Sequence, residues 1–125
     1  QVIAWICGHT HQHQITYFGV DASKGFWQIE TASLIDWPQQ GRTIEIFANE
    51  NDEVCIATAP FDHQGVVHKD YKEVKISDVD HVAGLSRELS LNDWQRRSEP
   101  YLVEINEGNP SDQAAVLVLT DRLKL

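Results

Sequence analysis

The sequence predicts an α+β domain that is mostly antiparallel β. Three observations carry this. Short apolar or alternating runs of strand length recur from residue 2 to residue 61. The segments between them are rich in Gly, Pro, Asn and Asp, the residues that reverse a chain. Helical spacing of apolar residues begins only near residue 77.

Taken in order, Val2 to Cys7 is a continuous apolar run closed by Gly8, which suits a strand buried on both faces. Gln14 to Val20, rich in Ile, Thr, Tyr and Phe, is a second strand. Asp21 to Gly25 is a turn by composition, and Phe26 to Ser33 a third strand. Asp36 to Gly41 contains Pro38 and Gly41 and reads as a loop. Arg42 to Ala48 and Val54 to Phe61 form a hairpin across the polar Asn49 to Glu53. Five strands in succession imply an antiparallel meander. Ser77 with Asp80 reads as a capping-box variant before a helix whose Val79, Val82, Leu85 and Leu89 share a face. Ser90 and Asp93 repeat that signal ahead of a second short helix, ended by Arg96 and Arg97. Tyr101 to Asn106 and Ala114 to Thr120 are a last strand pair, and Asp62 to Asp70 a surface loop.

With 125 residues the chain has the size of one domain, and residues 1–125 show no repeat or interdomain linker. No apolar run approaches the roughly 20 residues that span a bilayer. A formal charge of -9 repels polyanions, which makes nucleic acid an improbable partner. A phosphorylated small molecule stays compatible with that charge, because a bound divalent cation reverses its sign locally. Cys7 and Cys55 sit in apolar stretches without C-x-x-C spacing and are expected to be buried, inert thiols. The chain contains no methionine and opens at Gln1 into an apolar strand, so it is expected to be the C-terminal part of something longer.

The chemistry-bearing feature is the run His9, His11, His13 after Gly8. In an extended segment, residues two apart share a side with Cα atoms roughly 6.6 Å apart. His9 and His11 could then serve two metal ions about 3.5–4 Å apart, one ring to each. His13, about 13 Å from His9 if extension continues, is poorly placed to join them. Gly8 suits a sharp turn or a close approach at the strand end. A cupin-type single-metal site would need a glutamate shortly after H-x-H, but the first downstream acid is Asp21. A (β/α)8 hydrolase needs about 250 residues. Solvated, incidental histidines on an inter-strand loop remain the competing account, and with them a non-catalytic β-rich interaction or stability module.

The stretch WICGHTHQHQI, Trp5 to Ile15, resembles the last motif of the calcineurin-like metallophosphoesterases, a G-H-x-H between two strands. Gly25 to Ile46 is similar to the segment that follows this motif in an actinobacterial branch of that superfamily, whose members carry long insertions and generally a twin-arginine export signal. Ala83 to Asp93 fits that branch too. The resemblance implies the C-terminal part of a two-sheet α/β/β/α sandwich with one or two short helices. It implies that His9 and His11 each bind one ion of a dinuclear centre of divalent or trivalent metals such as Mn, Fe or Zn, and that the activity is phosphoester hydrolysis. The other family motifs, D-x-H, G-D-x-x-D and G-N-H-D/E, do not occur here. The resemblance therefore implies that the remaining ligands come from an N-terminal remainder of the same enzyme, with no catalytic residue in this chain and no activity on its own.

Among other residues, Asp36, Trp37 and Arg42 frame a loop that reads either as an active-site rim, with Arg42 available to a phosphate, or as a plain turn with an exposed charge. Trp5, Trp27 and Trp94 read as core aromatics. His63, His68 and His81, near Asp62, Asp70 and Asp80, read as unrelated surface charges.

Overall fold

A computed structural model describes residues 2–21, 24–65, 75–91 and 106–119. They form an α+β arrangement of two three-stranded sheets, mostly antiparallel, with one α-helix among the described residues. The first sheet contains β1 (Ala4–Cys7), β2 (Gln14–Gly19) and β3 (Gly25–Glu30) in the order β1-β3-β2. The second contains β4 (Gln40–Ala48), β5 (Val54–Asp62) and β6 (Ala115–Leu119), all antiparallel, in the order β4-β5-β6.

The two hairpins form where local sequence asks for them. β2 and β3 pair from Gln14–Glu30 to Gly19–Gly25 around the turn at Asp21. Both flanking glycines are needed, because a Cβ at either would overlap the Tyr17 ring. β4 and β5 pair from Gln40–Asp62 to Ala48–Val54. Their loop is closed by Asn49, whose Oδ1 accepts from the backbone N–H groups of Asn51 and Glu53 at 2.9 Å each.

β1 departs from the expected meander. It lies parallel to β3, with Ala4 opposite Trp27 and Cys7 opposite Glu30, on the edge of β3 that β2 does not occupy. Nor is β1 buried on both faces. Trp5 and Ile6, which point to opposite sides, are 60% and 58% exposed, so Trp5 is not a core residue either. Continuous apolar sequence marks strand here without marking burial.

The core forms where the sheets face each other. Ile29, Ile56 and Leu117 are its buried centre, with Ala4, Ile15, Trp27, Ile44 and Ala115 packed around them. Trp27 also donates its indole N–H to the Val118 carbonyl at 3.4 Å, joining the sheets across the core edge. Cys55 is buried and Cys7 half-buried, and both are free thiols.

The helix α1 (Val79–Ser90) is capped by Asp78, whose Oδ1 accepts from the His81 N–H at 3.2 Å, rather than by Ser77. Asp80 falls in the first turn, where a carboxylate suits the helix dipole without completing a capping box. The buried residues of α1 are His81 and Gly84, whereas Val79 is 73% exposed. Gly65 packs so closely on the Gly84 backbone that a Cβ there would lie 2.5 Å from the Gly84 nitrogen. His81 is thus no surface charge, and the apolar stripe expected to mark the buried face does not do so.

β3 ends three residues earlier than expected and β4 begins at Gln40, inside the expected loop. Asn106, expected to end a strand, has helical backbone. The expected second helix with Trp94, Arg96 and Arg97, the strand residues 101–105, and His68 with Asp70 lie outside the described residues.

Ile56→Ala should lower unfolding free energy by about 2–5 kcal/mol, while Val116→Ala, on the exposed side of β6, should cost about 0.5 kcal/mol or less. Urea midpoints at unchanged slope are the measurement.

Candidate functional site

The three histidines do not lie on one extended segment. After β1 the chain turns through His9 and Thr10, bends at His11 and Gln12, and enters β2 at Gln14. The sharp change of direction falls at His11, in the left-handed region at φ 61°, and not at Gly8, where an added Cβ would meet only the Thr31 carbonyl at an ordinary 3.4 Å. The even two-residue projection expected for His9, His11 and His13 therefore does not apply, and each ring goes to a different environment.

His9 is exposed. Thr10 anchors the turn to the end of β3 by donating its hydroxyl to the buried Glu30 Oε1 at 3.2 Å. His11 is half-buried and its Nδ1 is in hydrogen-bond contact with Asp36 Oδ2. Asp36 stands on the loop between β3 and β4, where its backbone N–H is held by Ser33 Oγ at 3.3 Å and its carbonyl accepts from Gln39 N at 2.8 Å. Gln39 also takes the left-handed conformation, at φ 58°. Its side chain is buried and donates to Ile35 O at 3.0 Å and Ser86 Oγ at 3.1 Å, which ties the loop to α1. The acid is thus presented from a pinned loop.

His13 is 1% exposed and belongs to a buried polar network between the sheets. Its Nδ1 faces Arg42 Nη2 at 3.0 Å and Ala32 N at 3.4 Å, and its Nε2 faces Gln40 Oε1 at 3.0 Å. A guanidinium and a backbone N–H can only donate, and an amide oxygen only accepts, so these contacts favour a neutral ring with its lone pair on Nδ1. Arg42 further donates to Thr58 Oγ1 at 3.2 Å, Gln113 O at 2.8 Å and Asp112 O at 2.5 Å. It is neither an exposed charge on a turn nor a group aimed at a phosphate, and both expectations for it are corrected. Asp112, in the 3-10 turn Pro110–Asp112, accepts from Ile15 N at 2.8 Å and Asn109 N at 2.9 Å. Gly108, at φ +73°, lets this segment pass the His13 carbonyl, where a Cβ would come within 2.3 Å.

The electrostatics follow from this packing. Burial pushes the His13 ring below its ordinary pKa, and the neighbouring Arg42 charge adds to that, together outweighing the hydrogen bonds with Gln40 and the Glu30 backbone and the Asp112 charge. For Asp112 burial raises the pKa, but hydrogen bonds from Ile15 and Asn109 and the Arg42 charge together hold it below the usual value. Burial, and the carboxylate of Glu30, push the Cys7 thiol up, so it is no ready thiolate donor.

Sequence reasoning missed Asp36 as the partner of His11, and Gln40, Thr58 and Asp112 as partners of His13 and Arg42. Only the Asn109-Pro110-Ser111-Asp112 capping box left a local signal, with Pro where a helix tolerates it. The other partners are 25 or more residues from His11 or His13. Among the described residues no group of three or more His, Cys, Asp or Glu side chains could hold a metal ion. No described helix is long and apolar enough to cross a membrane. Comparison with family models, curated proteins and solved structures gives no match to this chain.

The His13 environment predicts a pH dependence. Its folded pKa lies below the ordinary 6.5, so below that pH the unfolded chain takes up a proton that the folded chain refuses. Stability should be level on this account above pH 6.5 and decline as pH falls from there toward the depressed folded value. Asp112 adds a second decline below its ordinary 3.8. Urea midpoints from pH 8 downward should show the first decline in wild type and a flatter profile in His13→Gln, whose stability is lower throughout.

Proposed function

We propose that this chain is the histidine-bearing C-terminal part of a metal-dependent phosphoesterase, contributing His9 and His11 as ligands to a dinuclear centre. The observation that carries the proposal is the G-H-x-H turn itself. It sits at the end of β1, on a sheet edge, with His9 exposed and half-buried His11 in contact with the Asp36 carboxylate. His13, two residues on, is committed to Gln40 and Arg42.

The donor set fits such a centre only in part. Two imidazoles are suitable ligands for Mn, Fe or Zn, but two do not hold a pair of ions. Since no larger cluster exists among the described residues, the other ligands are assigned to residues outside them, as an N-terminal remainder of the same enzyme would provide. Two cations at such a site lower the pKa of water and neutralise charge on a phosphoryl group. The chain's own part would be to hold the His9 and His11 rings in place, with Thr10 and Glu30 anchoring the turn and Asp36 in contact with His11. In this proposal the chain belongs to a two-sheet α/β/β/α sandwich, with the Ile29–Ile56–Leu117 cluster as part of its central layer.

A longer polypeptide that carries the remaining ligands should hydrolyse p-nitrophenyl phosphate or its bis ester when loaded with Mn2+ or Zn2+. His9→Ala and His11→Ala should each cut that activity by more than the roughly 10–100-fold that loss of an outer hydrogen-bond partner costs. His13→Gln should lower stability and leave metal affinity unchanged. Equal tolerance of His9→Ala and His11→Ala would assign the chain instead to the class of non-catalytic β-rich modules.

A further inference from the structure

We infer that the cleft between the β3–β4 loop, the last turn of α1 and the 107–113 segment is a binding site for a small organic cation, with Glu107 as its anchor. The cleft shares no lining residue with the histidine turn, and the inference does not rest on the function proposed above.

The cleft has a volume of about 530 Å³, within the range of small-molecule sites. Its walls come from three parts of the chain that the fold brings together: Pro38 and Gln40, Arg87 in the last turn of α1, and Glu107, Pro110 and Gln113. Hydrogen bonds and one ring contact fix these walls before any ligand arrives. Trp37 donates its indole N–H to Glu107 Oε1 at 2.8 Å. The face of the same indole is covered by the Arg87 guanidinium, whose carbon lies 5.1 Å from the ring centroid. Arg87 Nη2 reaches Asp62 Oδ1 at 2.7 Å, and Gln40 Nε2 donates to the same oxygen at 3.0 Å. Gln113 donates its amide to the Glu107 carbonyl. A site ordered in this way loses little freedom when it binds.

The charges in the walls do not cancel. Arg87 is answered by Asp62, whereas Glu107 is held by a neutral indole and forms no ion pair among the described residues. Only its Oε1 accepts a hydrogen bond there, which leaves Oε2 for another donor. A half-buried carboxylate whose charge is uncompensated is best satisfied by a donor that is itself positive. Gln113 adds an acceptor, since its amide nitrogen is used on the Glu107 carbonyl and its Oε1 accepts from no group among the described residues. Pro38 and Pro110 supply rigid apolar surface for the body of the ligand. An anion would have only Arg87 to bind, and that guanidinium is already paired with Asp62 and stacked on Trp37. The field of the whole chain acts in the same direction, because a formal charge of -9 draws cations and repels anions.

The test is a titration of the chain with three probes of one shape and different charge: benzamidinium, benzamide and benzoate. Binding is read from the proton–nitrogen NMR signals of the Trp37 indole and of the backbone amide of Gly108, which also lines the cleft. Benzamidinium should shift both signals saturably, with a dissociation constant of about 1 mM or tighter. Benzamide should bind about 10-fold more weakly or worse, because it keeps a donor but lacks the charge. Benzoate should not bind.

Glu107→Gln keeps an acceptor for the Trp37 indole and removes the charge, so it should weaken benzamidinium about 10-fold or more. Arg87→Gln removes the one cation among the lining residues and should tighten benzamidinium, which keeps the test decisive if Glu107→Gln does not fold. No saturable shift with benzamidinium up to about 20 mM, a dissociation constant too weak for a specific site, overturns the inference. So do equal binding of the three probes, tighter binding of benzoate than of benzamidinium, wild-type affinity in a folded Glu107→Gln, and no tightening in Arg87→Gln.

Discussion

The guanidinium of Arg42 is the constraint on which the rest of the molecule is arranged. It leaves β4 and reaches the Thr58 hydroxyl, two carbonyls of the 112–113 segment and the His13 ring, so four separate parts of the chain meet on one cation. A half-buried cation needs acceptors for its donors and a counter-charge nearby. Both Arg42 Nη groups find acceptors, while its buried Nε has no hydrogen-bond partner among the described residues. Here the acceptors are mostly dipoles, with Asp112 as the nearby charge. The apolar centre at Ile29, Ile56 and Leu117 supplies cohesion between the sheets without direction. The Arg42 network supplies the register, since its hydrogen bonds tolerate little displacement.

That network also decides what the histidine run becomes. Once His13 is drawn inward by Arg42 and Gln40, and its backbone N–H is taken by the Asn106 carbonyl at 3.0 Å, the preceding residues have to reverse within a few positions. The left-handed conformation at His11 accomplishes this and swings the ring to the loop that bears Asp36. Three residues that look equivalent in the sequence end as an exposed ring, a ring held by a carboxylate, and a buried ring between donors on one side and the Gln40 amide oxygen on the other. The proposed metal role falls to the first two because the third is committed to the core.

Charge fits the proposal without carrying it. A formal charge of -9 disfavours an anionic substrate at long range, and Arg42 is consumed by packing. Bound cations would supply attraction for a phosphoryl group that Arg42 does not. This gives the proposed ligand histidines more weight than they would have beside a ring of exposed lysines.

Local structure was largely legible from sequence. The β2-β3 and β4-β5 hairpins follow from alternating β-branched and aromatic residues around turn-forming residues, and β6 and α1 were placed within a residue or two. The site was half legible. Gly8-His9-Thr10-His11 marked the turn, but neither its shape nor the partner of either inner histidine followed from spacing. The parallel seat of β1, the Asp78 cap, the inward Arg42 and the separation of His11 from His13 were decided by tertiary structure. The physical reason is that a turn or a hairpin is stabilised by residues a few positions apart, whereas a buried polar group accepts whatever partner the packed sheets bring to it. Ile15 and Asp112, 97 residues apart, share a hydrogen bond that no local pattern could announce.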